Sequence, residues 1–218
     1  MLKKRIYLIL KRIFDIFFSL ILLVFSSPFI LISAILIKIE DPAGPVFFRQ
    51  DRGGKNNTTF SVAKFRTMIT ERERNGQKLK DSERMLRIGK ILRKLSLDEL
   101  PQILNILKGE MSFIGPRPLS AKFLPYYTEN ELRRHDVTPG ISGWAQINGR
   151  NYLSWEEKFK LDIYYVENIS LSLDAKIFFL TIKKVFVNPE VGILGKDVVY
   201  PPIPLVRKPR NENMEASL

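Results

Sequence analysis

A chain of 218 residues with 35 Lys and Arg against 23 Asp and Glu carries a formal charge of +12. Its partners are therefore anionic: nucleic acid, lipid headgroups or phosphorylated small molecules. Without cysteine and with a single histidine, it has no disulfide framework, zinc-thiolate site, thiol nucleophile or His-rich metal centre, so catalysis must rest on carboxylates, hydroxyls and cations.

In chain order, the first element is Ile16 to Ile37, 22 residues without a charge. As a helix that is about 33 Å, against about 30 Å for a hydrocarbon core. It is too long for the apolar region of a signal peptide and lacks a small-residue cleavage pattern. Ser27-Pro28 interrupts it, because Pro28 removes a backbone hydrogen bond and clashes with the carbonyl of Val24. Lys3, Lys4, Arg5, Lys11 and Arg12 precede the run, and Lys38, Arg49, Arg52 and Lys55 follow it. By the positive-inside rule both flanks belong in the cytoplasm, which predicts a helix that enters, breaks at Ser27-Pro28 and returns; a kinked span is the alternative.

Val46 to Gln50 and Thr59 to Phe65 read as a hairpin around the polar turn Asp51 to Asn57. Gly53-Gly54-Lys55 lacks the spacing of a phosphate-binding P-loop. Lys64 and Arg66, two residues apart, share a strand face and can enter one site together. The charged stretch Glu71 to Asp81 reads as loop or frayed helix. Arg84 to Leu95 is amphipathic, with Met85, Ile88, Leu92 and Leu95 on one arc, the pattern of a helix lying on a core or a membrane surface. Its Arg93 is a candidate phosphate ligand.

The densest chemistry lies in SLDELPQILNILKGEMSFIGPRP, Ser96 to Pro118. Ser96 with Glu99 reads as a capping box, whereas Asp98 as N-cap places Pro101 in the tolerant first turn. Either choice leaves two carboxylates at a helix mouth, where a phosphate could be held within their reach. In Gly115-Pro116-Arg117-Pro118 the flanking prolines present a guanidinium from a stiff backbone. Further on, Ser154 with Glu157 opens a helix carrying Trp155, Phe159, Asp162, Tyr165 and Val166. Asp162 there can hold substrate hydroxyls, pair with Arg150, or serve structure alone. Ser172 caps a helix to Val187 whose apolar arc includes Phe178, Phe179 and Ile182, an interfacial or core-packing pattern. His135 reads as a helix-face residue. The proline-rich, basic end is expected to fray into a mobile tail.

The run Ser96 to Pro118, with KFRTM at Lys64 to Met68 and PGISGWAQINGR at Pro139 to Arg150, resembles the monotopic phosphoglycosyl transferases of the bacterial sugar transferase family, over roughly Lys11 to Val187. The resemblance implies an α+β fold, mostly helical, with a re-entrant helix in 1–38, a catalytic domain in 39–190 and a tail in 191–218. It implies transfer of a sugar-1-phosphate from a UDP-sugar to polyprenyl phosphate on the cytoplasmic face of the bacterial plasma membrane, starting glycan assembly ahead of downstream glycosyltransferases. Asp98 becomes the nucleophile and Glu99 its partner, as a base or as a second ligand with Asp98 for Mg²⁺. Lys64, Arg66, Arg93, Arg117, Arg150 and Asp162 become substrate contacts. Two competitors are weaker. A membrane-anchored module binding anionic lipid or nucleic acid leaves the carboxylates and Arg117 unused, and no nucleic-acid-binding motif is present. A multispan transferase needs more than one apolar run.

Overall fold

The computed structural model describes residues 2–74, 76–149, 153–187 and 203–210. Helix α1 (Leu2–Glu40) has 39 residues and contains Pro28. The helix does not end at Ser27-Pro28. The Ser27 hydroxyl donates to the carbonyl of Val24 (2.8 Å), the acceptor that Pro28, without an N–H, leaves free. Around this point the apolar side chains face outward, with Val24 and Phe25 70% and 73% exposed.

Strands β1 (Phe47–Gly53) and β2 (Thr59–Phe65) form the expected antiparallel hairpin. β1 runs past its predicted end at Gln50 because the amide of Gly53 bonds Leu119 O and Arg52 bridges Ser120. Asn56 and Asn57 turn the chain at positive φ, which asparagine tolerates. The charged stretch forms a minimal hairpin, β3 (Glu73–Arg74) and β4 (Gln77–Lys78), rather than a loop or frayed helix. The single helix expected from Arg84 to Leu95 is two: α2 (Asp81–Arg84) and α3 (Arg87–Lys94). Between them Met85 bridges Met68 and the amide of Leu86 bonds Thr67 O, and this pairing pulls the chain out of helical geometry.

After α4 (Ile103–Lys108), strands β5 (Ser112–Ile114) and β6 (Gly140–Ser142) pair in parallel, unforeseen from the sequence. The backbones meet so closely that a Cβ at Gly140 would lie 2.1 Å from the nitrogen of Gly115. α5 (Glu129–Leu132) and α6 (Trp144–Asn148) are short. α7 (Trp155–Asn168) opens on the predicted capping box, Ser154 N donating to Glu157 (2.8 Å) and Glu157 N to Ser154 Oγ (3.2 Å). α8 (Leu171–Val187) starts one residue before Ser172, the expected cap, and Ser170 Oγ accepts from the amide of Leu173. Its Phe178 and Phe179 face outward while Ile177 is buried, the division an interfacial helix requires.

Of the expected tail, residues 203–210 are packed rather than frayed, and 188–202 and 211–218 lie outside the described residues. Around α9 (Ile203–Val206), Ile203 is fully buried with Tyr127 and Phe159. Arg207 pairs with Glu131 and Glu156, and Arg210 with Glu129. Composition announced the charges of this segment but not the acids waiting on α5 and α7.

Both ends of α1 grip this one body. Near its start Lys4 donates to Val166 O and Lys11 pairs with Asp174 (2.5 Å). Arg12 donates to the carbonyls of Ile106 and Leu107 near the end of α4, where the helix dipole favours a cation. Asp15 accepts from Ser112 Oγ and the amide of Phe113. At the other end Ile37 packs with Phe65, Leu86 and Leu92, and Glu40 accepts from the first amides of α3, those of Arg87 and Ile88.

Candidate active site

The carboxylate pair lies on a 3-10 turn, Leu97–Gln102, entered through Ser96 at φ 56°. Neither Ser96 nor Asp98 makes a side-chain cap, which corrects both capping readings. Pro101 fits within the 3-10 turn, and the α-helix proper begins two residues later at Ile103. The carboxylates are therefore free to face charges instead of amides.

Those charges come from three directions. Glu99 Oε1 accepts from Lys64 Nζ of β2 (2.5 Å) and from Arg117 Nη2 (3.0 Å). Burial alone would raise the Glu99 carboxyl, but Arg117 and Lys64 outweigh it and hold the group down at about 2. Asp98 is treated differently. Burial pushes it above the usual carboxylate range; Lys64 opposes that, Glu99 adds to it, and Arg93 opposes it. Arg93 is aimed by its Nε donating to Thr67 Oγ1 (2.9 Å). Two adjacent carboxylates are thus pushed apart in acidity, the arrangement that gives paired acids different roles.

The loop of Arg117 is stiffer than its prolines alone would make it. Four consecutive carbonyls are held: Pro116 O by the amide of Gly140, Arg117 O by Arg134 Nη2 (2.8 Å), Pro118 O by Arg52 Nη1 (3.3 Å), and Leu119 O by the amide of Gly53.

Two other expected contacts, Arg66 and Asp162, are engaged elsewhere. Arg66 pairs with Asp41 and also donates to the carbonyls of Asp41, Pro45 and Met68. It shares strand parity with Lys64, but β2 ends at Phe65 and the Asp41 to Pro45 loop captures the guanidinium. Asp162 is buried and pairs with Arg134, Nε at 3.0 Å and Nη2 at 2.6 Å; Arg150 lies outside the described residues. The Arg134 guanidinium sits 6.0 Å from the Tyr127 ring centroid and 5.7 Å from that of Phe159. His135 is buried rather than presented on a helix face, with Nδ1 2.7 Å from Asn57 Oδ1; burial and then Arg134 press it down to about 3.

Sequence reasoning missed Arg52 and Arg134. The register pairs Phe48 with Lys64 and Arg52 with Phe60, so Arg52 and Lys64 share one hairpin face. Strand periodicity alone could have placed Arg52 there. Arg134 reaches Asp162 across 28 residues and Arg117 across 17, and no local pattern encodes that. As for a metal, no group of three or more acidic or His side chains gathers among the described residues. The Asp98-Glu99 pair is the candidate, and a cation there would complete its shell from ligand oxygens.

The protein thus combines one helix long and apolar enough to cross a membrane with a carboxylate pair among four cations. The chain belongs to the bacterial sugar transferase family, whose model matches residues 6–188. Over 181 residues it is 51% identical to the uncharacterized sugar transferase EpsL of Bacillus subtilis, covering 83% of this chain and 89% of that one. It is 44% identical over 197 residues to the UDP-N-acetylgalactosamine-undecaprenyl-phosphate N-acetylgalactosaminephosphotransferase of Aeromonas hydrophila, covering 85% of this chain and 45% of that one. To the UDP-glucose:undecaprenyl-phosphate glucose-1-phosphate transferase of Escherichia coli K12 it is 40% identical over 190 residues, covering 83% and 41%. The chain therefore spans less than half of these last two relatives.

Proposed function

We propose that this sugar transferase moves a sugar-1-phosphate from a UDP-sugar to polyprenyl phosphate through a phosphosugar carried on Asp98. The names of the Aeromonas and Escherichia relatives support the overall reaction. The observation that carries the choice of nucleophile is the unequal treatment of the two carboxylates. Glu99 is committed to Lys64 and Arg117, while Asp98 has cations nearby and forms no direct ion pair among the described residues.

In the first step an Asp98 oxygen attacks the β-phosphorus, the bond to the bridging oxygen breaks, and UMP leaves with the electron pair. In the second, an oxygen of polyprenyl phosphate attacks the same phosphorus and frees Asp98. A phosphate monoester has a second pKa of about 6, so the acceptor needs no base. Glu99, held at about 2, would be a poor one. Its role in this reading is to aim Lys64 and Arg117. Asp98 and the donor's phosphate oxygens suit Mg²⁺, which takes one or two carboxylates together with substrate phosphates. That cation would offset the repulsion between carboxylate and diphosphate.

The work is placed at the cytoplasmic face. Both flanks of the apolar run are basic, and both ends of α1 hold the same body, which supports a helix that enters and leaves on one side. Cysteines at Lys4 and Asn56 should react with an impermeant reagent only once the inner face is opened; labelling from opposite sides rejects this topology. For the chemistry, labelled donor without acceptor should leave sugar phosphate on Asp98, seen by quenched mass spectrometry, and Asp98→Asn should abolish UMP release. Turnover by Asp98→Asn with no adduct in the wild type makes direct transfer the better reading.

A further inference from the structure

The cations around Asp98 and Glu99 outnumber the acids. Lys64, Arg93, Arg117 and Arg52 face two carboxylates, leaving a surplus of two positive charges, which matches the two negative charges of a sugar diphosphate diester. The surplus is unevenly placed. Lys64 and Arg93 act on Asp98, whereas Arg117 and Arg52 lie toward Glu99, which already serves Lys64 and Arg117.

Arg52 is the unexplained member. It projects from the same hairpin face as Lys64 and is half-buried. It donates through Nη1 to Pro118 O (3.3 Å) and through Nη2 to Gln50 Oε1 (2.6 Å). A guanidinium has five N–H donors, so three remain for a ligand. Its anchor, Pro118 O, belongs to the residue after Arg117. Burial and then the neighbouring Arg117 pull Arg52 below its usual value, with Glu99 opposing. Two crowded guanidiniums sharing one committed carboxylate make a place for an oxyanion.

We infer that Arg52 and Arg117 together bind the α-phosphate of the donor, and hence the departing UMP, while Lys64 and Arg93 flank the phosphorus that Asp98 attacks. This rests on the transfer reaction proposed above and gives the donor a direction in the site. In-line displacement puts the leaving oxygen opposite the attacking one. As the bond from β-phosphorus to the bridging oxygen breaks, the α-phosphate passes from one negative charge to two, and Arg52 meets the added charge. Arg52 thus faces the leaving phosphate of the first half-reaction and, because in-line attack brings the acceptor's phosphate to the same side of phosphorus, the entering phosphate of the second.

The test compares half-reactions of the full chain in lipid nanodiscs, using Arg52→Gln and Arg52→Lys, the latter keeping the positive charge. Without acceptor, Arg52→Gln should slow the burst of UMP release about a hundredfold, and transfer from preformed phosphosugar enzyme to polyprenyl phosphate should slow with it. Arg52→Lys should fall between wild type and Arg52→Gln in the burst. Calorimetry with UMP and with uridine gives a readout without turnover: Arg52→Gln should weaken UMP and leave uridine unchanged. Equal loss of UMP and uridine reduces Arg52 to a support for Pro118 O and overturns the inference, as does an unchanged burst. Absence of phosphosugar on wild-type Asp98 overturns the covalent reading instead, and the calorimetry still decides whether Arg52 holds the nucleotide phosphate.

Discussion

Two clusters of acid and guanidinium lie on either side of Arg117, and they are built to opposite rules. At Asp162 and Arg134 one acid meets one cation, with side chains 4% and 1% exposed, beside the packed rings of Tyr127 and Phe159. Around Glu99 one acid serves two cations with more beside them, and exposure runs from 20% for Lys64 to 46% for Arg117. The first cluster has little left to offer a ligand and acts as structure, holding the carbonyl of Arg117. The second is short of negative charge and open to solvent. Stoichiometry and access, more than residue type, separate the supporting cluster from the reacting one.

The strongest way to break that distinction is Arg134→Met. It leaves the Asp162 carboxylate buried without a cation and should cost about 3–5 kcal/mol of stability in urea unfolding. Adding Asp162→Asn should recover part of the loss; a mild effect of Arg134→Met alone would show that the inner pair is not structural. In the outer cluster, Arg117→Lys should change stability by less than about 1 kcal/mol and cut turnover about tenfold to a hundredfold, because a lysine cannot reproduce a two-pronged phosphate contact. Near-normal turnover would make Arg117 only a turn residue.

Acid separates the clusters further. Glu99 titrates at about 2 when folded against an ordinary 4.5, so its ionised form stabilises the fold. That contribution is complete above pH 4.5 and is lost as pH falls from there through 2. His135, at about 3 against an ordinary 6.5, is buried uncharged, and the unfolded chain takes up its proton first. Its contribution is complete above pH 6.5 and is lost as pH falls from there through 3. Glu99→Gln should flatten the stability curve below pH 4.5, and His135→Gln should flatten it from pH 6.5 downward. Swapped windows in pH-dependent unfolding would reject this assignment. The smallest effect is expected from Arg210→Ala, which removes an exposed ion pair to Glu129 and should cost about 1 kcal/mol or less, with turnover unchanged.

What the sequence disclosed follows the range of the interaction. The apolar run, the hairpin and the Ser154 to Glu157 box are local patterns, and each is present. Ser96 to Glu99 matched a capping box equally well, yet Pro101 and a left-handed Ser96 turned it into a 3-10 turn. Arg66 had the periodicity to join Lys64, but period two says nothing about Asp41 waiting beyond the strand. The β5 and β6 pairing and the Arg134 to Asp162 bond depend on chain segments about 28 residues apart. Side-chain periodicity cannot announce such partners.

The contacts of α1 also impose an order on how the protein is made. Residues near its C-terminal end are matched soonest, since Ile37 and Glu40 pack on Phe65, Arg87 and Ile88. Arg12 and Asp15 wait for Ile106 to Phe113. Lys4 and Lys11 wait for Val166 and Asp174, 162 and 163 residues behind them. At about 5–20 residues per second, the first turns of α1 spend tens of seconds or less outside the ribosome before their partners emerge. The helix is made first and is fastened backwards, from Glu40 toward Lys4, while the chain is synthesised forwards.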